Sequence, residues 1–382
     1  MTPSRPEIRG LPLVRSLLKH PWLTAGAVAT AIALGAAAVM ISGVVPIKAS
    51  SGHWWITARL LDFSKVRSVA THSLTIKAPP LDLGDPSLVL RGAGHYETGC
   101  APCHGAPGTA VPPVMAAMTP PPPELPDHVS RWKPEQLFYI VKHGIKFTGM
   151  PAWPIQERDD EVWAMVAFLR RLPGMDAATY RALIDGASGK DVALIDSGVP
   201  SIVRTVCSRC HGLDGTGRGA AAFPSLAGQH AEYLERSLKA FADRRRLSGI
   251  MSAVTAALDD EVIREAVSYY ARLPQRASEA ASDRTLVARG QLIATMGVPD
   301  RSIPACSECH GPAEVPKNPA YPILASQYPE YLTAQLQLLR LRRRGGSGNE
   351  NLMHVFVGRL TTEDIEAVTA FYGQLRSIPR LR

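Results

Sequence analysis

The pentapeptide Cys-x-x-Cys-His occurs three times in this chain and uses every cysteine in it. The copies begin at Cys100, Cys207 and Cys306 and close with His104, His211 and His310. Two thiols one helical turn apart, with a histidine directly after, suit covalent attachment of a c-type haem. The thiols become thioethers and the histidine is held under the iron as its proximal ligand. A zinc site would need four ligands per metal, and no second cysteine pair stands near any copy. The spacing therefore predicts three covalent haem c groups, anchored by Cys100 and Cys103, Cys207 and Cys210, Cys306 and Cys309.

The start of the chain bears on where such haems would sit. No charged residue occurs from Pro21 to Ile47, and Trp22 to Val45 is apolar. At about 1.5 Å per residue this stretch can cross a hydrocarbon core of roughly 30 Å. Arg5, Arg9, Arg15 and Lys19 precede it, opposed by Glu7, a bias that keeps the N-terminus cytoplasmic and sends the rest outward. The alternative is a cleaved signal peptide, whose apolar region is normally about 7 to 15 residues. Ile47-Lys48-Ala49 is a poor small-x-small cleavage site, so an uncleaved anchor is expected. Trp54 and Trp55 then suit a membrane–water interface. The expected location is a bacterial inner membrane with the haems in the periplasm.

The formal charge of +8 does not point to nucleic acid. About +3 belongs to residues 1–20, and three haems bring roughly −6 in propionates, offset by up to about +3 on ferric iron. Any basic partner surface must be local. Arg244 to Arg246 and the run Arg340 to Arg344 follow equivalent helices. They read either as solvated helix ends complementing the dipole or as docking sites for an acidic redox partner.

A repeat of about 100 residues becomes visible when the haem motifs are aligned. Phe223-Pro224-Ser225-Leu226-Ala227-Gly228-Gln229 recurs as Tyr321-Pro322-Ile323-Leu324-Ala325-Ser326-Gln327, and both continue into Glu-Tyr-Leu. Later helices end alike at Leu172, Leu273 and Leu375, with Asp159, Asp259 and Thr361 in N-cap positions. Met150, Met251 and Met353 each lie 22 residues before those leucines. A lone methionine is ordinary core filler. Three in one register read as the second axial ligands, soft thioethers that favour ferrous iron. Met115, Met118, Met165 and Met296 lack this register and read as packing. His354 is the rival to Met353, and His143 and His230 are weaker rivals.

With these residues in hand, each unit resembles a class I cytochrome c domain. The resemblance implies an all-α fold: three tandem class I domains behind an N-terminal transmembrane helix. Gly92, Tyr96 and Cys100 are spaced by four, and in that family such a glycine and aromatic cross an aromatic of the C-terminal helix, here Phe168. Units two and three together are similar to the di-haem cytochrome c-four family in the Pro-x-Leu-Ala segment, the Tyr-Leu helix and the Ile303 to Cys306 lead-in. That resemblance implies that the carbonyls of Pro224 and Pro322 accept from the proximal histidine Nδ1–H. Ser201-Ile202-Val203 departs from the first-helix pattern, and unit one carries the proline run Pro120 to Pro123.

The expected organisation is a cytoplasmic tail at 1–20, an anchor at 21–47, and a juxtamembrane segment with linker at 48–87. Haem domains follow at 88–175, 192–274 and 284–377. Thr57 to Ser73 reads as a helix, Ala78 to Pro86 as a linker, and Asp176 to Asp191 and Gln275 to Asp283 as connectors. No catalytic residue, small-molecule substrate or nucleic acid is expected. The expected function is a membrane-anchored electron relay between a quinol-oxidising complex or dehydrogenase and a terminal oxidase, with redox proteins as partners. The cytochrome subunit of a membrane dehydrogenase is the alternative. A haem peroxidase or reductase would need an open sixth site, against which the three methionines argue.

Overall fold

The computed structural model describes residues 21–79, 82–185, 198–219, 221–276, 283–311, 318–346, 348 and 350–375. The charged tail 1–20, residues 80–81 of the linker, 186–191 and 277–282 of the connectors, and 192–197 and 376–377 at the expected domain edges lie outside the described residues. The described chain is helical and carries no strand among those residues, only two isolated bridges.

Contacts divide the chain into Met1–His53 and Trp54–Arg382. In the first part, α1 spans Pro21–Ser42 with no buried residue. Its 22 residues measure about 33 Å, enough for a hydrocarbon core. The helix stops short of the expected Val45, where Gly43 takes a left-handed φ of 62°.

In the second part, α2 (Trp55–His72) fills the expected juxtamembrane helix. Trp54 and Trp55 are exposed, and the far end of α2 buries Val69 and stacks His72 on Tyr139. The first repeat then runs through α3 (Pro86–His95), α4 (Pro134–His143), α5 (Asp159–Arg171) and α6 (Ala177–Ile184). The second holds α7 (Ala231–Ala242), α8 (Met251–Thr255) and α9 (Asp260–Arg272). The third holds α10 (Arg284–Met296), α11 (Pro329–Arg340), α12 (Glu350–Val357) and α13 (Thr362–Gln374). Each unit has its own apolar cluster, centred on Tyr96 and Phe168, on Val203 and Tyr270, and on Ile365 and Tyr372. Each such large apolar side chain contributes about 1.5–3 kcal/mol when fully buried.

Close helix crossings fix the first and third units. A Cβ at Gly92 would lie 2.3 Å from the Ala164 carbonyl oxygen and 2.6 Å from the Phe168 Cβ, so only glycine lets α3 meet α5. The Tyr96 and Phe168 rings sit 5.0 Å apart beside this crossing, the pairing expected from the motif. Gly290 repeats the device in α10, where a Cβ would fall 1.9 Å from the Ala367 carbonyl oxygen of α13. The second unit has no such crossing among its described residues. Ser201 to His211 is one short helical run through a π-type turn at Val203–Cys207; Val203 is its fully buried apolar plug, with Ile202 and Cys207 partly buried beside it.

Two expectations are corrected here. Asp176 to Ile184 is not a connector: the Asp176 carboxylate caps α6 at the Thr179 N–H, and buried Tyr180 donates to Glu97 at 2.6 Å. Asp159 is the first helical residue of α5 rather than its cap, and its side chain pairs with Lys142. Asp259 and Thr361 do cap α9 and α13.

Candidate haem sites

Each haem motif ends a short helical turn, and a glycine in the left-handed region turns the chain away after it. These are Gly105, Gly212 and Gly311, with φ of 68°, 75° and 72°. A buried tyrosine then pins each turn from the core. Tyr96 donates to the Gly105 carbonyl at 2.7 Å, Tyr270 to Gly212 at 3.1 Å and Tyr372 to Gly311 at 3.0 Å. Tyr270 and Tyr372 are at one repeat position, where the first unit has Leu169. There Tyr96 supplies the hydroxyl from the helix on the other side of the motif.

The three motif histidines share one bond. His211 Nδ1–H donates to the Pro224 carbonyl at 3.1 Å, and His310 donates to Pro322 at 3.0 Å. His104 donates to Pro123 at 2.9 Å, so the proline run of the first unit supplies the acceptor that the repeat supplies elsewhere. The bond fixes the tautomer and leaves Nε2 free for iron. Burial holds all three imidazoles below their ordinary value, hence neutral, although the carbonyl bond opposes the shift. No two of the six cysteines are joined in a disulfide.

One cavity of about 390 Å³ runs past Cys207, Cys210, His211 and Met251 and past Cys306, His310 and Met353. Met251 opens α8, with its N–H donating to the Ser248 hydroxyl at 3.0 Å. Met353 lies inside α12 and is partly buried against the third core. Its neighbour His354 is turned away, with Nε2 at 2.8 Å from the Arg344 carbonyl. Met150 is half-buried in a tight loop, where its N–H donates to the Thr148 hydroxyl and its carbonyl accepts from Ile145. Met115 and Met118 are half-buried and packed: Met115 Sδ lies 3.9 Å from Cys103 Sγ, and a Cβ at Gly149 would lie 2.1 Å from the Met118 methyl. Met165 is buried packing, whereas Met296 is 69% exposed. His143 is exposed and tilts against Tyr139, and His230 is half-buried at the start of α7.

One arginine of each basic run departs from the solvated-helix-end reading, while Arg244, Arg245, Arg340 and Arg342 are exposed as it expects. Arg246 is buried and Arg344 half-buried, and both line the cavity. Tyr233 accepts from Arg246 at 3.4 Å and from Arg344 at 3.0 Å, and Arg246 also reaches Tyr331 at 3.0 Å. Burial lowers the Arg344 guanidinium, and Arg246 lowers it further. Burial raises the Tyr233 phenol, yet the two arginines outweigh this and bring it down to about 8. Arg344 Nε is buried without a partner. A positive pocket with an orphaned donor, between two sets of haem-anchoring residues, fits the carboxylate side chains of haem.

The second and third units meet through a reciprocal pair. Gln327 takes the Ser225 N–H and donates to its carbonyl, both at 2.9 Å. Gln229 does the same to Ile323, at 2.9 and 3.0 Å. Each glutamine thus holds the residue after the proline that orients the other unit's histidine. Both glutamines were visible in the repeat, but nothing in their type marked the exchange.

Parts of the chain resemble known proteins. The family described as Cytochrome C oxidase, cbb3-type, subunit III matches residues 87–169, and the family Cytochrome c matches residues 200–265. A thiosulfate dehydrogenase electron acceptor of Stutzerimonas stutzeri is 31% identical over 53% of this chain and 94% of its own. Its counterpart in Thiomonas intermedia is 33% identical over 42% and 75%. A cytochrome c4 of Pseudomonas aeruginosa is 30% identical over 49% of this chain and 92% of its own. The chain is a c-type cytochrome with covalently bound haem c, and it belongs with the electron-transfer proteins of the di-haem cytochrome c4 family.

Proposed function

We propose that the chain is a membrane-anchored, periplasmic cytochrome with three haem units. The first extends through α6, and the chain relays electrons from a membrane donor to an oxidase or other acceptor. One observation carries this reading: in all three motifs the histidine Nδ1 is committed to a proline carbonyl while a methionine waits in common register. Bound haem c supplies a one-electron iron couple. The protein's part is to hold both axial ligands through each cycle, so that little rearranges when charge moves. His104, His211 and His310 would hold the three irons through Nε2, and Met150, Met251 and Met353 would supply thioether sulfur to the same irons. Arg246 and Arg344 would hold haem carboxylates in the cavity they line. Helix α1 supplies the tether, which raises the effective concentration at membrane partners.

A second reading makes the chain the acceptor subunit of a dehydrogenase. Two relatives that carry the name of such an acceptor support it. The carrier reading predicts that the reduced native protein at neutral pH binds no carbon monoxide, because no coordination position is vacant. Absorption difference spectra check this. Stoichiometric binding at one haem would replace the carrier with an enzyme.

A further inference from the structure

The first unit reaches into the second at the residues that lead to Met251. Glu161 lies on α5 of the first unit, only 3% exposed. Its carboxylate collects four donors. Ser248 Oγ gives 2.6 Å and the Gly249 N–H 2.7 Å, both from the second unit. Trp153 Nε1 gives 3.2 Å and Arg158 Nη1 3.0 Å, from the first. Arg158 also donates to the Leu247 carbonyl at 2.6 Å. The Trp153 indole occupies the space beside Gly249, where a Cβ would be 2.3 Å from Nε1, and Ile250 packs on the first unit's core. Residues 247 to 250, next to Met251, are therefore seated on the first unit.

The polarity of this contact matters. The Ser248 hydroxyl has one proton. Given to Glu161, it leaves a lone pair free for the Met251 N–H, which it accepts at 3.0 Å. That N–H opens α8 and has no partner inside the helix. Only a group that accepts at both oxygens satisfies all the donors. An amide would turn its NH₂ against one pair of them and disturb the hydroxyl that holds Met251. Met353 lies within α12 instead of opening a helix.

We propose that Glu161 is a positioning residue for the Met251 loop, so that the first haem unit, by docking, sets the ligation and potential of the second haem. This rests on Met251 being an axial ligand. The experiment is a redox titration of the full-length holoprotein with the far-red methionine–iron band recorded alongside. Met251→His identifies the second haem by the wave it displaces. Glu161→Gln and Ser248→Ala are then expected to weaken up to about a third of the band, since one methionine of three is loosened. Both should shift that same wave to lower potential, with haem content and the other two waves retained. Ser248→Thr keeps the hydroxyl and should keep the native wave. If Glu161→Gln does not assemble, Ser248→Ala reads the same bond alone. An unmoved wave in Ser248→Ala, or an equal shift in Ser248→Thr, would overturn the proposal while Met251 remains a ligand. No displacement by Met251→His itself would instead remove the ligand reading beneath it.

Discussion

Met353→His is expected to lower the potential of the third haem by a sizeable part of the roughly 0.8 V that axial ligands span. A thioether stabilises ferrous iron, and imidazole favours ferric. The exchange should also remove about a third of the far-red methionine–iron band, because one haem of three loses its sulfur. Spectroelectrochemistry checks both. His354 cannot substitute without breaking its bond to the Arg344 carbonyl at 2.8 Å. An unchanged band and unchanged potentials would pass the ligand role to His354.

Gly290→Ala is expected to destabilise the third unit by about 2 kcal/mol, against the usual gain from replacing a helix-interior glycine. The added Cβ would fall 1.9 Å from the Ala367 carbonyl oxygen, which is backbone and cannot rotate aside. For a unit of this size that means a thermal midpoint lower by roughly 10 °C. Calorimetry or the temperature dependence of the haem bands measures it. Gly92→Ala should do the same in the first unit, where the Cβ would meet Ala164 and Phe168. A neutral or stabilising result at both sites would mean that the helix pairs can separate freely.

Met353 and the Gly92 crossing were legible in the chain, whereas the Gly290 crossing emerged only from the packing. The haem motifs are short and local, so their turns form wherever the sequence places them. Gly92, Tyr96 and Phe168 announced a crossing because the first two share one face of a helix and the third has a known counterpart. The residues that join the units were not legible. Arg246 and Arg344 sit in basic runs after α7 and α11, the composition of a solvated helix end, yet both fold inward around Tyr233. Only the packing of the second unit on the third decides that. Asp159, Asp160 and Glu161 look like one acidic first turn of a helix. They part company in space: Asp159 binds Lys142, Asp160 binds Arg158, and Glu161 is buried against Ser248. The proline run of the first unit hid the acceptor of His104, because its spacing differs from that in the repeat. Helix α6 was missed because Ala, Ser and Asp dominate around it, and its one anchoring side chain, Tyr180, is a single aromatic among them.

The most direct test of three covalent haems on an anchored chain is the intact mass of the denatured holoprotein from membranes. The predicted mass is that of the polypeptide with residues 21–47 retained and three haem groups attached. A mass with two haems, or a chain cut near Ala49, would contradict it.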